Sequence, residues 1–201
     1  MSNIAFSSVV NTDAQGNVLI FPSLPAYPAA GGYYSVTGAS TAVVAASLAA
    51  NTNLVSMRFN PASARIAYIN NVRLFLSPAT IGTNGGIPTV LSLVRFTAAT
   101  PTGGTARTIN RLSATQGTAS DMFDVRDSNA ALTVTSVVFG TVLASAIVPN
   151  NSTNNTPGAF DVDFPWFPEL RPGDGMALQT VNVGPLTATW NYSYTMDWLE
   201  R

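Results

Sequence analysis

The chain has no cysteine and no histidine, and all nine of its basic residues are arginine. Without cysteine there is no disulfide framework, no thiolate zinc site and no cysteine nucleophile. Without histidine the commonest general base and the commonest metal ligand are gone, and so is the Ser–His triad. Without lysine neither a Ser–Lys dyad nor a phosphate-binding P-loop can form. Charge is scarce as well. Charged residues make up 9% of the chain, against a typical ~25%. A disordered chain would be polar and charged, whereas this one is 46% hydrophobic. It reads as a folded protein with an unusually neutral surface. Such a surface invites association, so much of it is expected to be covered by other copies or by another protein.

Long apolar runs are missing too. No stretch approaches the ~20 residues that would span a bilayer, and no membrane partner is expected. The opening Met1-Ser2-Asn3-Ile4-Ala5-Phe6 has neither a basic region nor an apolar run behind it, so no signal peptide is expected. The Asn-x-Ser/Thr sequons at Asn150, Asn154 and Asn191 then read as chance matches in an Asn- and Thr-rich chain. There is no basic run, and nine arginines face ten acids, which argues against nucleic acid. No internal repeat of fixed period is visible.

What is present is a chain of 201 residues, the length of one domain, or of one domain plus an arm. That is long enough to bury roughly 70% of the unfolded surface without staples. Residues 1–35 read as an extended N-terminal arm. Phe21-Pro22-Ser23-Leu24-Pro25-Ala26-Tyr27-Pro28 stays extended, because each proline fixes its own φ and biases the residue before it. Residues 36–201 read as a β-sandwich of short strands separated by turn signals.

The clearest strand is C-terminal. Leu186, Ala188, Trp190, Tyr192, Tyr194, Met196 and Trp198 fall on one face at period two. Arg171-Pro172-Gly173-Asp174-Gly175 is a turn, with proline presetting φ and glycine accepting a positive one. It feeds a strand over 176–183. Further strands are expected over 54–60, 65–76 and 90–97. Residues 132–148 are too long for one strand, with Gly140 expected to break it or mark a bulge. The glycine pairs Gly85-Gly86 and Gly103-Gly104 read as hairpin turns. Two segments have helical character, the Ala-rich 40–50 and 120–127, the second with Ser120 as N-cap.

Carboxylates are the one route to catalysis left. Asp161 and Asp163 point the same way on a strand, and Asp121, Asp124 and Asp127 are spaced for a helical turn. A glycosidase would need two such carboxyls about 5–10 Å apart. The 121–129 stretch lacks the pattern of a calcium loop. Solvated loop acids explain both groups, so a non-enzymatic protein without cofactor or metal is expected. Phe164-Pro165-Trp166-Phe167-Pro168 is an extended aromatic cluster that could cap the core, anchor an interface or serve as a ligand platform. The face bearing Trp190, Tyr192 and Tyr194 suits an interface at least as well as a core, because their polar groups need partners. Arg65, Arg73 and Arg95 read as snorkelling at sheet margins or forming subunit salt bridges.

One resemblance joins these pieces. It is carried by the Pro-rich arm, Leu54-Val55-Ser56-Met57-Arg58-Phe59, Ala67-Tyr68-Ile69-Asn70-Asn71-Val72-Arg73-Leu74, the turn and strand from Leu170 to Leu178, and the closing strand ending Trp198-Leu199-Glu200. Over residues 54–201 the chain resembles the jelly-roll virion proteins of tailed bacteriophages, above all capsid cement (decoration) proteins with a tumour-necrosis-factor-like trimeric sandwich. The resemblance implies an antiparallel jelly roll and a homotrimer on the capsid surface, bridging copies of the major capsid protein and carrying no catalytic residues. In that setting Phe6, Phe21, Leu24 and Tyr27 of the arm would grip the capsid partner. Arg65, Arg73, Trp190, Tyr192 and Tyr194 would lie at the subunit interface. The alternative is a fibre or tail-tip domain that binds host glycan through Phe164, Trp166 and Phe167.

Overall fold

The computed structural model describes residues 31–40, 43–44, 52–80, 89–97, 99–112, 118–135, 138–148, 158–164, 167–181 and 189–201. Among them there is no helix, and fourteen strands account for the regular structure. In chain order these are β1 (Gly32–Ala39), β2 (Val43–Val44), β3 (Asn53–Phe59), β4 (Ala67–Thr80), β5 (Thr89–Thr97), β6 (Thr100–Thr102), β7 (Thr105–Ala106) and β8 (Asn110–Arg111). There follow β9 (Met122–Thr135), β10 (Val138–Val148), β11 (Gly158–Asp163), β12 (Glu169–Leu170), β13 (Asp174–Thr180) and β14 (Thr189–Glu200).

They form two antiparallel sheets that do not close into a barrel. The first sheet runs β11-β4-β14-β1-β8, with β12 on β4 and β2 on β14. The second runs β10-β5-β13-β3-β9-β6, with β7 also on β9. The pairing is nested: β1 pairs β14, β3 pairs β13, β4 pairs β11 and β5 pairs β10. Two further pairs, β14 with β4 and β13 with β5, join these into sheets. Long strands therefore alternate between layers from β1 to β5 and again from β10 to β14, while β5, β9 and β10 all belong to the second sheet.

The C-terminal alternation places β14 at the centre of the first sheet. Tyr192, Tyr194, Met196 and Trp198 are buried, and Asn191 and Ser193 are exposed. Strict period two would keep Leu199 and Glu200 on alternate faces, yet both are buried. A register shift between Asp197 and Trp198 leaves Asn70 of β4 as the extra residue. The bulge changes the phase of β4, so that Ala67 and Ile69 face the core along with Val72, Leu74 and Leu76. Trp198 stacks on Tyr34 at 6.1 Å between ring centroids. The core between the sheets gathers Val36, Val72, Leu74, Leu76 and Ile69 from the first, and Val55, Met57, Leu91, Leu93, Met176 and Leu178 from the second. Each such side chain contributes roughly 1.5–3 kcal/mol on burial.

The second sheet is buried on its outer side as well. Val94, Phe96, Ala99 and Ala177 form a separate cluster. Val94 and Phe96 alternate with the core residues Leu91 and Leu93 and so face away from the main core. All seven residues of β13 are buried. Gly175 pairs with Phe96, and a Cβ there would collide with the Phe96 ring and the Met57 carbonyl. The first sheet, by contrast, keeps an exposed outer face. Phe75 at its centre is 50% exposed.

Several expectations need correction. Residues 120–127 are not helical: β9 starts at Met122 and pairs with β3. Ser120 does cap, but it accepts a hydrogen bond from the Met122 amide at a strand entry, and Asp124 sits at φ 50°. Edge pairing outweighs a one-turn helix, which has little cooperativity of its own. Gly103-Gly104 is not a hairpin turn. Both residues have positive φ, but β6 and β7 on either side both run along β9, so the pair is a kink in one edge segment. Gly140 lies within β10 beside a register shift between Phe139 and Val142, which bears out the bulge. Arg171–Asp174 is the expected turn, with Gly173 at φ 86° and the Asp174 amide donating to the Arg171 carbonyl at 2.8 Å. β1 begins inside the segment read as an arm, so residues 32–35 belong to the first sheet. The remaining arm residues 1–30, the Gly85-Gly86 pair, and all of 40–50 except Ser40 and β2 lie outside the described residues.

Gly175→Ala forces a methyl into the Phe96 ring. The expected cost is about 1–3 kcal/mol, read as a lower urea midpoint at unchanged slope. An unchanged midpoint would mean that Phe96 does not seat on Gly175.

Candidate interaction face

Three charged assemblies stand out, and each ties distant segments together. The first surrounds Glu200, which is fully buried near the end of β14. Its carboxylate accepts from Trp198 Nε1 at 2.9 Å, from the Asp121 amide at 2.9 Å and from Arg65 Nη1 at 2.9 Å. It also accepts from the Ser120 hydroxyl and the Met122 amide. Arg65 in turn lies 3.4 Å from Asp121. A buried carboxylate persists only with such partners.

The second assembly is at β9 and β14. Arg107 Nε donates to the buried Asp127 at 2.8 Å, and Arg107 Nη2 donates to the Ala39 carbonyl at 2.9 Å. The hydrogen bond to Asp127 raises the Arg107 pKa. The Tyr194 ring and the Asp127 carboxylate meet over Gly38, where a Cβ would strike both. Burial, followed by the Asp127 charge, pushes the Tyr194 phenol well above its ordinary value.

The third occupies the exposed outer face of the first sheet. Register places Asp163, Asn71, Asp197 and Ser35 side by side across β11, β4, β14 and β1. The next row is Asp161, Arg73, Thr195 and Thr37, and the one after it Ala159, Phe75, Ser193 and Ala39. Arg73 Nε donates to Asp161 at 2.9 Å, and its Nη2 lies 3.5 Å from Asp163. The hydrogen bond to Asp161 raises the Arg73 pKa. Asn71 donates to Asp163. Asp197 is half-buried, and burial raises its pKa despite the opposing pull of Arg73.

Placed against this geometry, the sequence-derived candidates divide. Tyr192 and Tyr194 are 3% and 2% exposed within the single chain, so they supply core, not subunit interface. Arg65 is largely covered and pairs within the chain with Glu200 and Asp121. Arg73 is on the surface, and its partners Asp161 and Asp163 are also its own chain's. Trp190 belongs to β14, opposite Val43 and Pro78. Phe164 packs partly against the core, and Phe167 is 43% exposed. Trp166, Phe6, Phe21, Leu24 and Tyr27 lie outside the described residues.

Asp161 and Asp163 do share a face, but Arg73 engages both. Among the described residues no three His, Cys, Asp or Glu side chains come together as a metal site. Sequence reading missed Glu200, Asn71 and Asp197. Glu200 continues the period-two face of Met196 and Trp198, so the signal for its burial lies in the alternation itself, and only its charge argues against it. Comparisons with protein-family models, curated proteins and solved structures find no match.

Two outcomes are expected from the charge geometry. Glu200→Gln is expected to destabilise by about 3–5 kcal/mol, because it breaks a buried ion pair, while Arg73→Ala leaves the urea midpoint essentially unmoved. Equal midpoints for the two variants would remove Glu200 from this role. Asp197 binds its proton more tightly when folded than unfolded, so its ionisation lowers stability as pH rises through the window between the two pKa values. Asp197→Asn should therefore be at least as stable as the parent at pH 7, with the difference vanishing at pH 3. A variant less stable at pH 7 would contradict this.

Proposed function

We propose that the chain is a non-enzymatic virion structural protein, a homotrimeric jelly roll that cements neighbouring major capsid subunits on a phage head. The nested pairing carries this reading. Pairs β1–β14, β3–β13, β4–β11 and β5–β10 are what a long antiparallel hairpin makes when it wraps into a double-sheet roll. β9, Met122–Thr135, then adds to the β3 edge as an extra strand. A nearly neutral surface and one sheet face left open suit a protein that works against other proteins. Three-fold closure would bury such a face without open-ended growth. The arm would root at Gly31, whose amide donates to Thr118 Oγ1 at 3.0 Å, and would reach the capsid through Phe6, Phe21, Leu24 and Tyr27.

A second reading, a fibre or tail-tip domain recognising host glycan, draws on the exposed ring of Phe167. Aromatic faces stack on sugars, and Asp161 and Asp163 lie on the same strand-end neighbourhood as Phe164. Trp166→Ala should then reduce adsorption to host cells; full adsorption would set this reading aside.

The cement reading is tested by solution mass and by truncation. Light scattering should give three times the 21.0 kDa chain mass. Removing residues 1–30 should abolish binding to capsid shells while the trimer survives. A monomer, or undiminished binding by the truncated chain, would overturn the proposal.

A further inference from the structure

Both sheets end in open edges, and the chain blunts all of them but one. Among the described residues the edges are β11 and β8 in the first sheet and β10 and β6 in the second. An unpaired edge offers a row of backbone N–H and C=O groups to any other strand. Sheets guard against this with very short edge strands, charged residues or proline. β8 is two residues long and contains Arg111. β6 is three residues long and contains Pro101. β11 is six residues long and carries Asp161 and Asp163, both exposed.

β10 has none of these devices in its composition or length. It spans eleven residues, Val138–Val148, and β5 is its one partner strand among the described residues. It contains neither a charged residue nor a proline, and no charged residue occurs anywhere between Asp127 and Asp161. Its valines, isoleucine, threonine and phenylalanine favour the extended state. Register shifts between Phe139 and Ala144 bulge its middle. Beyond them Ala144–Val148 pairs with Leu93–Thr89 without a break, so that this half keeps a regular second edge.

The lack of charge says what fits that edge. A strand bearing Lys, Arg, Asp or Glu would find no counter-charge along it. The sequence also reads nearly the same in both directions about Leu143: Val138 mirrors Val148, Phe139 mirrors Ile147 and Thr141 mirrors Ser145. An antiparallel copy therefore sets apolar positions against apolar ones and hydroxyl against hydroxyl. Such cross-strand pairs each contribute roughly 0.2–1 kcal/mol. A two-fold contact between identical patches requires this self-complementarity.

We infer that β10 pairs antiparallel with β10 of a second copy of the chain, across a two-fold axis near Leu143, so that two second sheets become one continuous sheet. A single strand pair is a small contact beside the ~1,000 Å² of a stable interface, so the association depends on concentration. The inference does not rest on the virion reading, since the edge is free for pairing whether the unit that carries it is one chain or three.

The test is the solution mass of the full chain by light scattering from about 1 μM to 1 mM. The dilute limit answers for the trimer, and the rise above it answers for the edge, so the two readings can fail separately. The parent mass should climb to about twice its dilute value or beyond. Thr141→Lys and Ser145→Lys put a charge on each of the strand's two hydroxyl positions. Each should hold the mass at the dilute value, with its thermal midpoint checking that the fold is kept. Hydrogen exchange of the parent supplies a readout that needs no variant: the backbone amides of 138–148 should exchange more slowly at the concentrated end. Equal masses for the parent and the folded variants at every concentration would overturn the inference and leave the edge to an extended segment of another protein. Exchange in 138–148 that ignores concentration would overturn it as well.

Discussion

Glu200 is buried under Arg65, the Ser120 hydroxyl, two backbone amides and the Trp198 indole, and the geometry of one end of the sandwich follows from it. The carboxylate must be solvated by the protein, since water is excluded. That demand fixes the segment 118–122 over the end of β14 and draws Arg65 across from the start of β4. The Glu200 backbone is constrained as well: Gly31 passes so close to its carbonyl that a side chain there would collide. The entry of β1, the start of β4, the start of β9 and the end of β14 are thus held by one ion and its donors. In a chain with few charges, one satisfied buried carboxylate joins four segments that the hydrophobic effect alone would leave free to slide, because apolar contacts lack direction.

The two sheets then take different roles. The second is buried on both sides, with Phe96 over Gly175 and all of β13 covered, so it functions as the interior layer. The first is apolar inward and Ser-, Thr- and Asp-bearing outward. Any recognition by a sheet face, among the described residues, therefore falls most naturally to the first sheet's outer face. That assignment comes from burial, and it points away from Tyr192, Tyr194 and Trp198 of β14, which the core absorbs.

Strand existence was legible where alternation or turn chemistry was strong. The period-two run ending at Trp198 and the Pro172-Gly173 turn each rest on a local rule that tertiary packing did not override. The failures share a cause. The 120–127 segment has a helix-like acid spacing, but one turn cannot outweigh a whole edge of β3 offering hydrogen bonds. Gly103-Gly104 has the composition of a hairpin turn, yet both flanks run along β9. The bulge at Asn70 carries no composition signal at all, and it decides that Ile69 and Ala67 of β4 face the core with Val72, Leu74 and Leu76. Site residues suffered most, because Asn71, Asp197 and Glu200 acquire their meaning only from cross-strand neighbours distant in sequence.

The absence of lysine also becomes intelligible from these contacts. Arg65, Arg73, Arg95, Arg107 and Arg171 each pair with a carboxylate. Arg58 and Arg201 lie over the rings of Phe123 and Tyr68. Arg126 donates to the Gly103 carbonyl, and Arg111 is partnered too. Paired forks and ring stacking are the geometries in which arginine outperforms lysine, whose ammonium is compact and strongly hydrated. Every cation of the chain is therefore engaged internally. A carboxylate left over on an open face, as Asp197 is, cannot be neutralised from within without breaking an existing contact. Water solvates such a half-exposed carboxylate, so the scarcity of charge on this chain goes with arginines spent on internal contacts and leaves no unpaired cation among the described residues.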